Sequence, residues 1–184
     1  MTNTLKHLIS IINTDQFQNS FCSWSISLAD LIRETKINSK LITLFGNGGS
    51  AADSQHWAAE LMCTFRDRSR EPIPAIALNT DTSVLTAWSN DFEFSTVFSR
   101  QIDALAQTNG LSIGMSTSGK SKNVLSALIS ANLHGAKTIL ISGSSVPEIP
   151  DFDMHIILPS CDTPTIQTLT QMLYHEVCQH LENP

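Results

Sequence analysis

Five short apolar runs, separated by segments with helical spacing, constrain the fold of this 184-residue chain more than any other feature. The apolar runs lie at residues 41–45, 73–78, 111–115, 138–142 and 154–158. The segments that predict helices lie at about 50–64, 82–88, 94–107, 122–134 and 164–181. Strands that alternate with helices indicate parallel crossover connections and a sheet covered on both faces. We therefore expect an α/β fold with a doubly wound, mainly parallel five-stranded sheet flanked by helices.

The first 36 residues precede this alternation and have apolar positions at helical spacing. The pattern predicts one or two amphipathic helices with a break near Asn13-Thr14-Asp15. No repeat or low-complexity linker interrupts the chain. We predict one domain over residues 1–184, in which residues 1–36 form an N-terminal helical arm.

Composition and charge exclude several classes of protein. The net charge is −6 and the basic residues form no block, which argues against general nucleic-acid binding. No apolar run approaches the roughly 20 residues of a membrane span, and the N-terminus lacks the plan of a signal peptide. The four cysteines are scattered, as is typical of reduced thiols. We expect a cytoplasmic protein without a membrane or nucleic-acid partner.

The first apolar run ends on Gly46-Asn47-Gly48-Gly49-Ser50, called here the glycine loop, which leads into a predicted helix. Glycines let the backbone turn tightly and approach a ligand, and the N–H groups at a helix N-terminus favour an anion. Ser50 is expected to cap the helix. By itself such a cluster favours an ordinary strand-to-helix turn. It fits neither the dinucleotide-binding pattern nor a Walker A loop.

A second strand-to-helix junction, residues 116–121, is called here the hydroxyl loop. Within six residues it has four hydroxyl side chains, on Ser116, Thr117, Ser118 and Ser121. Hydroxyls and helix-start N–H groups can donate several hydrogen bonds to one phosphate, and Lys120 and Lys122 add positive potential. The alternative is a solvated serine-rich loop with a helix cap. The place after a core strand, together with the glycine loop, favours phosphate binding.

His56 and Glu60 lie four residues apart on the helix that follows the glycine loop. Their side chains share one face and can bind a metal or act as an acid–base couple, although a surface pair is the commoner outcome of this spacing. Gln167 and His175 lie eight residues apart on the last helix, about 12 Å along its axis. They reach one point only if they lean together, or through a neighbouring subunit. Histidines without an evident partner are His7, His134, His155 and His180.

The segment from Phe45 to Leu61 resembles the signature of the phosphoheptose isomerases. These are sugar-isomerase (SIS) domain enzymes that interconvert sedoheptulose 7-phosphate and D-glycero-D-manno-heptose 7-phosphate. Further similar segments follow in the same order at 75–87, 90–92, 116–119, 121 and 123–124. The likeness extends from the N-terminal helices to the last helix. A resemblance over that length is far more specific than a match to one loop.

The resemblance implies a role for each matching residue. It implies substrate binding by Asn47, Gly48, Gly49, Glu60, Asn90, Asp91 and Gln167. It implies phosphate binding by Ser116, Thr117, Ser118 and Ser121. It implies one zinc ion per subunit, held by His56, Glu60, Gln167 and His175. It also implies acid–base catalysis by Glu60 and His175, and a homotetramer with active sites at subunit contacts.

The implied chemistry is an aldose–ketose isomerisation that serves the synthesis of heptose for lipopolysaccharide, capsule or another glycan. The reaction moves a proton between C1 and C2 through an enediol, and it needs a base at carbon, proton transfer at oxygen and an electrophile. We expect Glu60 to act at the carbons and His175 at the oxygens. Zinc would polarise the carbonyl group.

Two family cations are missing from this chain. Thr64 stands where relatives usually carry Arg, and Thr165 begins Thr-Ile-Gln-Thr where Arg-Ile-Gln-Glu is usual. Arg66 is a candidate replacement for the first cation. These departures leave open an isomerase of a different sugar phosphate. A non-catalytic relative of the DnaA initiator-associating type, which binds a protein partner, is a further alternative, but it is expected to lack Glu60 and His175.

Overall fold

The computed structural model describes residues 3–146 and 149–183 and contains a five-stranded sheet. The strands are β1 (Ile42–Gly46), β2 (Ala75–Ala77), β3 (Leu111–Met115), β4 (Lys137–Gly143) and β5 (Met154–Leu158). The helices are α1 (Asn3–Ile12), α2 (Asp15–Ile37), α3 (Gly49–Met62), α4 (Thr82–Asp91), α5 (Val97–Leu105), α6 (Lys122–Leu133) and α7 (Thr163–Glu182). The strands run in the order β2-β1-β3-β4-β5, and every neighbouring pair is parallel. The predicted fold class is confirmed.

The helical arm breaks where the sequence predicts it. Thr14 is the N-cap of α2, and its hydroxyl accepts a hydrogen bond from the N–H group of Phe17. Two predicted elements are shorter than expected. The strand predicted at 73–78 is reduced to Ala75–Ala77 at the sheet edge, where Pro74 has no N–H group to donate. The helix predicted at 94–107 divides into a 3₁₀ turn, Phe94–Thr96, and α5.

Two hydrophobic clusters cover the two faces of the sheet. On β1, Ile42 and Leu44 pack in the first cluster and Phe45 packs in the second, as alternation along a strand requires. The first cluster joins the sheet to α1, α2, α3 and α7, and the second joins it to α5 and α6. Consequently α3 and α7 lie in one layer on the same face. In the described ranges, no helix is long and apolar enough to cross a membrane.

The sheet brings the glycine loop and the hydroxyl loop together. β1 and β3 are neighbours in parallel register, with Gly46 opposite Met115 at their carboxyl ends. The two loops therefore leave the sheet side by side, at the edge where ligands of open α/β sheets bind.

Candidate active site

The glycine loop turns into α3 through a left-handed residue. Gly48, the N-cap of α3, has a φ of 58°, a conformation that glycine adopts without strain. The prediction that Ser50 caps this helix is wrong. The helix begins at Gly49, and Ser50 is buried within its first turn. The turn is complete before Ser50, so its side chain is not in position to cap.

Gln167 of α7 covers the start of α3. A Cβ atom on Gly49 would overlap the side-chain amide of Gln167, whose Cδ would lie 2.7 Å away. Gly49 thus leaves the space that Gln167 occupies. The structure brings these two predicted site residues together at the N-terminus of α3.

Asn47 ties the two loops to each other. Its amide exchanges two hydrogen bonds with the amide of Asn123, each 2.9 Å long, and Asn123 is buried in the first turn of α6. Sequence reasoning assigned Asn47 to the sugar and gave Asn123 no role in the site. The signal was the position of Asn123 two residues after the hydroxyl loop, in the first turn of the next helix.

The hydroxyl loop folds back on itself. The Ser116 hydroxyl lies 2.9 Å from the Ser121 hydroxyl and also accepts a hydrogen bond from the Ser121 N–H group. The Ser118 hydroxyl accepts from the N–H group of Lys120, and the carbonyl of Thr117 accepts from Gly143 on β4. Ser121 is the N-cap of α6 and makes no side-chain cap hydrogen bond. The loop therefore places the Ser116 and Ser121 hydroxyls together at the N-terminus of α6, an arrangement suited to a phosphate.

His56, Glu60 and His175 meet between α3 and α7, and are called here the His–Glu–His cluster. His56 Nε2 lies 3.0 Å from Glu60 Oε1, and one ligand atom from each of the three residues lies within 4.8 Å of the others. The centroids of the two imidazole rings are 5.3 Å apart. Two imidazoles and a carboxylate form a usual protein donor set for catalytic zinc. The residues present fit that ion.

Aromatic neighbours hold the two histidines in place. The Tyr174 hydroxyl lies 2.8 Å from His56 Nδ1, and Phe65 stacks on His175 at 5.4 Å between ring centroids. Burial, followed by the charge of His56, lowers the pKa of His175 and favours its neutral form. Burial raises the pKa of Tyr174, so its hydroxyl stays protonated beside His56. Sequence reasoning missed Tyr174, because a phenol next to a histidine has no distinctive spacing.

Asp53 is a second group that sequence reasoning missed. It precedes His56 by three residues on α3, a spacing that places both on one helix face. Its Oδ2 atom is buried and has no hydrogen-bond partner among the described residues. Burial raises the pKa of Asp53 to about 6, against the opposing charge of His56.

Asp53 should make the metal-free protein less stable as the pH rises. Its folded-state pKa of about 6 exceeds the ordinary value, so its contribution is fully present below about pH 4 and is lost as the pH rises through 6. In Asp53→Asn we expect the free energy of unfolding to change less between pH 4 and 7 than in the wild type. At pH 7 it should be higher than in the wild type by about 1–2 kcal/mol, after discounting for solvent screening. Urea unfolding between pH 4 and 7, with a chelator present, measures this.

The matched control for Asp53 is Asp30→Asn, which removes an exposed carboxylate paired with Arg33 on α2. This control should keep the pH dependence of the wild type. An Asp53→Asn variant whose unfolding free energy varies with pH as in the wild type would contradict the assignment.

Other predicted residues lie apart from the cluster. The Asn90 amide donates to Asp91 at the exposed end of α4, and within the described residues no hydrogen bond joins either side chain to the two loops. Arg66 lies over the Phe65 ring and lines, with His175, a cavity of about 350 Å³. Thr165 is buried and donates its hydroxyl to the Asp162 carboxylate at the start of α7.

The remaining histidines have polar partners that the sequence did not reveal. His7 pairs with Ser160, His134 with Asp103, His155 with Ser142 and His180 with Ser25. None of these pairs includes a residue of the two loops or of the cluster. These four histidines therefore have hydrogen-bond partners outside the site and are not part of it.

Comparison with known families shows which family this fold belongs to. Residues 26–143, more than half of the chain, match the SIS domain. The chain belongs to the SIS domain family.

Individual relatives narrow the assignment. The chain is 49% identical over 146 residues to the phosphoheptose isomerase of a Nitratiruptor species, covering 79% of this chain and 78% of the relative. It is 43% identical over 159 residues to that of Geobacter sulfurreducens, covering 85% and 82%. The structure of phosphoheptose isomerase GmhA from Neisseria gonorrhoeae superposes with a TM-score of 0.82 at 31% identity, over 98% of this chain and 92% of that one. Within the SIS family, the chain belongs to the phosphoheptose isomerases, which confirms the resemblance found in the sequence.

Proposed function

We propose that this protein is an aldose–ketose isomerase that interconverts sedoheptulose 7-phosphate and D-glycero-D-manno-heptose 7-phosphate. The observation that carries the proposal is the meeting of His56, Glu60 and His175 between α3 and α7. Gln167 and the glycine loop adjoin at the start of the same two helices, and the hydroxyl loop lies beside the glycine loop. The names of the relatives support the choice of substrate.

The phosphate end of the substrate would bind at the hydroxyl loop. Ser116, Thr117, Ser118 and Ser121 supply hydroxyl donors, and the α6 N-terminus supplies N–H groups. This end of the substrate is remote from the reacting carbons. Its binding energy positions C1 and C2 without taking part in the chemistry.

Glu60 and His175 divide the proton transfers. The Glu60 carboxylate takes the proton from one of C1 and C2 and returns it to the other. His175, whose neutral form is favoured by burial, takes a proton from one of O1 and O2 and returns it to the other. Each residue ends the cycle in its starting protonation state.

The proposal includes one zinc ion per subunit. His56, Glu60 and His175 would hold it, with Gln167 as the fourth ligand predicted from the family likeness. When bound, the ion polarises the substrate carbonyl as a Lewis acid. The donor set of the His–Glu–His cluster supports this choice of metal.

The proposal also includes a homotetramer with active sites at subunit contacts. Two facts support it: Asn90 and Asp91 make no hydrogen bond to the site of their own chain in the described part, and the arm exposes Ile9 and Ile26. The pathway served would be the cytoplasmic synthesis of heptose for lipopolysaccharide or capsule. Light scattering of the purified protein measures the assembly.

Conversion of sedoheptulose 7-phosphate by the purified, zinc-loaded protein tests the proposal. We expect turnover of this substrate and none of unphosphorylated sedoheptulose. Because Thr64 and Thr165 replace expected cations, fructose 6-phosphate and other ketose phosphates belong in the same assay. Zinc binding with turnover of another phosphate alone would favour an isomerase of different specificity. Neither zinc binding nor turnover would favour a protein-binding relative.

Gly49→Ala should reduce activity without reducing stability. Alanine favours a helix, and the backbone at Gly49 has no positive φ to forbid it, so the melting temperature should not fall. The new methyl group must displace the Gln167 amide, and a displacement of about 1 Å can lower activity up to about 100-fold. We expect kcat/KM for sedoheptulose 7-phosphate to fall by at least about 10-fold.

A double-mutant cycle provides the control for Gly49. On a Gln167→Ala background there is no amide to displace, so Gly49→Ala should have little further effect. Equal losses on both backgrounds would show that the methyl group acts by another route.

A further inference from the structure

A buried ion pair lies at the far end of the two helices that carry the His–Glu–His cluster. Arg70 Nε lies 3.4 Å from Glu182 Oε1, and the two side chains are 8% and 2% exposed. Glu182 is the last residue of α7, and Arg70 lies in the segment that follows α3. Buried charges persist only where hydrogen bonds satisfy their remaining polar atoms.

Arg70 caps the helix that carries His56 and Glu60. Its Nη2 donates to the carbonyl of Glu60 at 2.6 Å and to that of Leu61 at 3.0 Å. These are among the last carbonyls of α3, which lack partners within the helix and lie at its negative end. The guanidinium group therefore fixes the backbone of Glu60 itself.

Glu182 fixes the chain that follows α3. Its carboxylate accepts hydrogen bonds of 2.9 Å from the N–H groups of Phe65, Arg66 and Asp67. Phe65 is the residue whose ring stacks on His175. The ion pair thus connects the backbone of one acid–base residue with the ring that contacts the other.

We propose that Arg70 and Glu182 are positioning residues that hold Glu60 and His175 at the separation needed for the metal and the proton transfers. The inference rests on the proposed function. Neither residue belongs to the predicted ligand set or to the two loops, and neither is placed to touch substrate. Their effect passes through the end of α3 and through Phe65.

Arg70→Lys and Glu182→Gln test this inference. Lysine keeps the charge of Arg70 but cannot reach Glu182 and the α3 carbonyls at once. Glutamine removes the negative charge of the Glu182 carboxylate, which accepts hydrogen bonds from three N–H groups. For both variants we expect the dissociation constant for zinc, measured against a chromophoric chelator, to rise by about 10- to 100-fold. We expect a similar fall in kcat, with the KM for sedoheptulose 7-phosphate little changed because the hydroxyl loop is remote.

Arg33→Lys is the matched control. Arg33 also joins a neighbouring helix to the end of α7, through a hydrogen bond to the carbonyl of His180, but it contacts neither the α3 carbonyls nor residues 65–67. It should lower the free energy of unfolding while leaving the zinc dissociation constant and kcat as in the wild type.

Two results would overturn the inference. The first is wild-type zinc affinity and kcat in folded Arg70→Lys and Glu182→Gln proteins that have only lost stability. If those two variants do not fold, Phe65→Leu replaces them, since it removes the ring from His175 and leaves the ion pair intact. Wild-type zinc affinity and kcat in that variant is the second result. If the wild type binds zinc but does not convert the substrate, the proposed function is refuted and the positioning role is not. The zinc affinities of the variants still test that role.

Discussion

Replacing Glu60 with glutamine should lower kcat for sedoheptulose 7-phosphate by about 10²- to 10⁴-fold, the usual contribution of a general base. The amide keeps the shape of the side chain but cannot accept the proton that moves between C1 and C2. KM should change little, because the phosphate is bound elsewhere. Steady-state kinetics give both constants, and elemental analysis of each preparation gives the zinc content, since Glu60 is also a proposed ligand.

Exchange with solvent deuterium tests the proposed role of Glu60 as the base separately from its proposed role as a metal ligand. The wild type should incorporate deuterium at the reacting carbons in D₂O, and Glu60→Gln should not. Glu34→Gln, on the exposed face of α2, is the control and should behave as the wild type. Deuterium incorporation at the wild-type rate in Glu60→Gln would exclude Glu60 as the base.

Ser121→Ala should lower kcat/KM by about 10- to 100-fold, mainly through KM. Ser121 is the N-cap of α6, and its hydroxyl lies 2.9 Å from that of Ser116 at the predicted phosphate site. Hydrogen bonds to a charged group contribute about 1.5–3 kcal/mol each, which is the basis of the estimate. Isotope-labelled or calorimetric binding of sedoheptulose 7-phosphate to the Glu60→Gln background measures the affinity without turnover.

The same substitution at Ser130, near the other end of α6, serves as its control. The Ser130 hydroxyl binds the exposed carboxylate of Asp103, far from the hydroxyl loop. Ser130→Ala should leave KM unchanged. An unchanged KM in Ser121→Ala would remove this residue from the phosphate site.

Periodicity was sufficient to predict most of the sheet. β1, β3, β4 and β5 begin and end within one residue of the predicted runs. For β1, β3 and β4 the reason is burial on both faces, which gives mostly apolar segments. β2 and β5 are both edge strands, but β2 departs from its run because Pro74 directly precedes it and has no N–H group to donate. The error at Ser50 was local: the sequence did not show that Gly48 would take the left-handed conformation and start the helix earlier.

The site could be predicted only in part, for a reason of distance along the chain. The four-residue spacing of His56 and Glu60 was visible, but their meeting with His175 depends on α3 and α7 packing in one layer. The contact between Tyr174 and His56 joins residues 118 positions apart, and Arg70 and Glu182 are 112 apart. No spacing rule reports such contacts. Family likeness implied the proposed ligand set, but it did not indicate Tyr174, Arg70 or Glu182.

The reciprocal amide pair between Asn47 and Asn123 has a consequence for which sugars fit. It fixes the gap between the loop predicted to hold the phosphate and the loop predicted to face the sugar. A fixed distance between the two loops limits the length of the carbon chain that can contact both. A ketose phosphate one carbon shorter than the seven-carbon substrate, with its phosphate seated on the hydroxyl loop, would present its carbonyl short of Glu60 and His175.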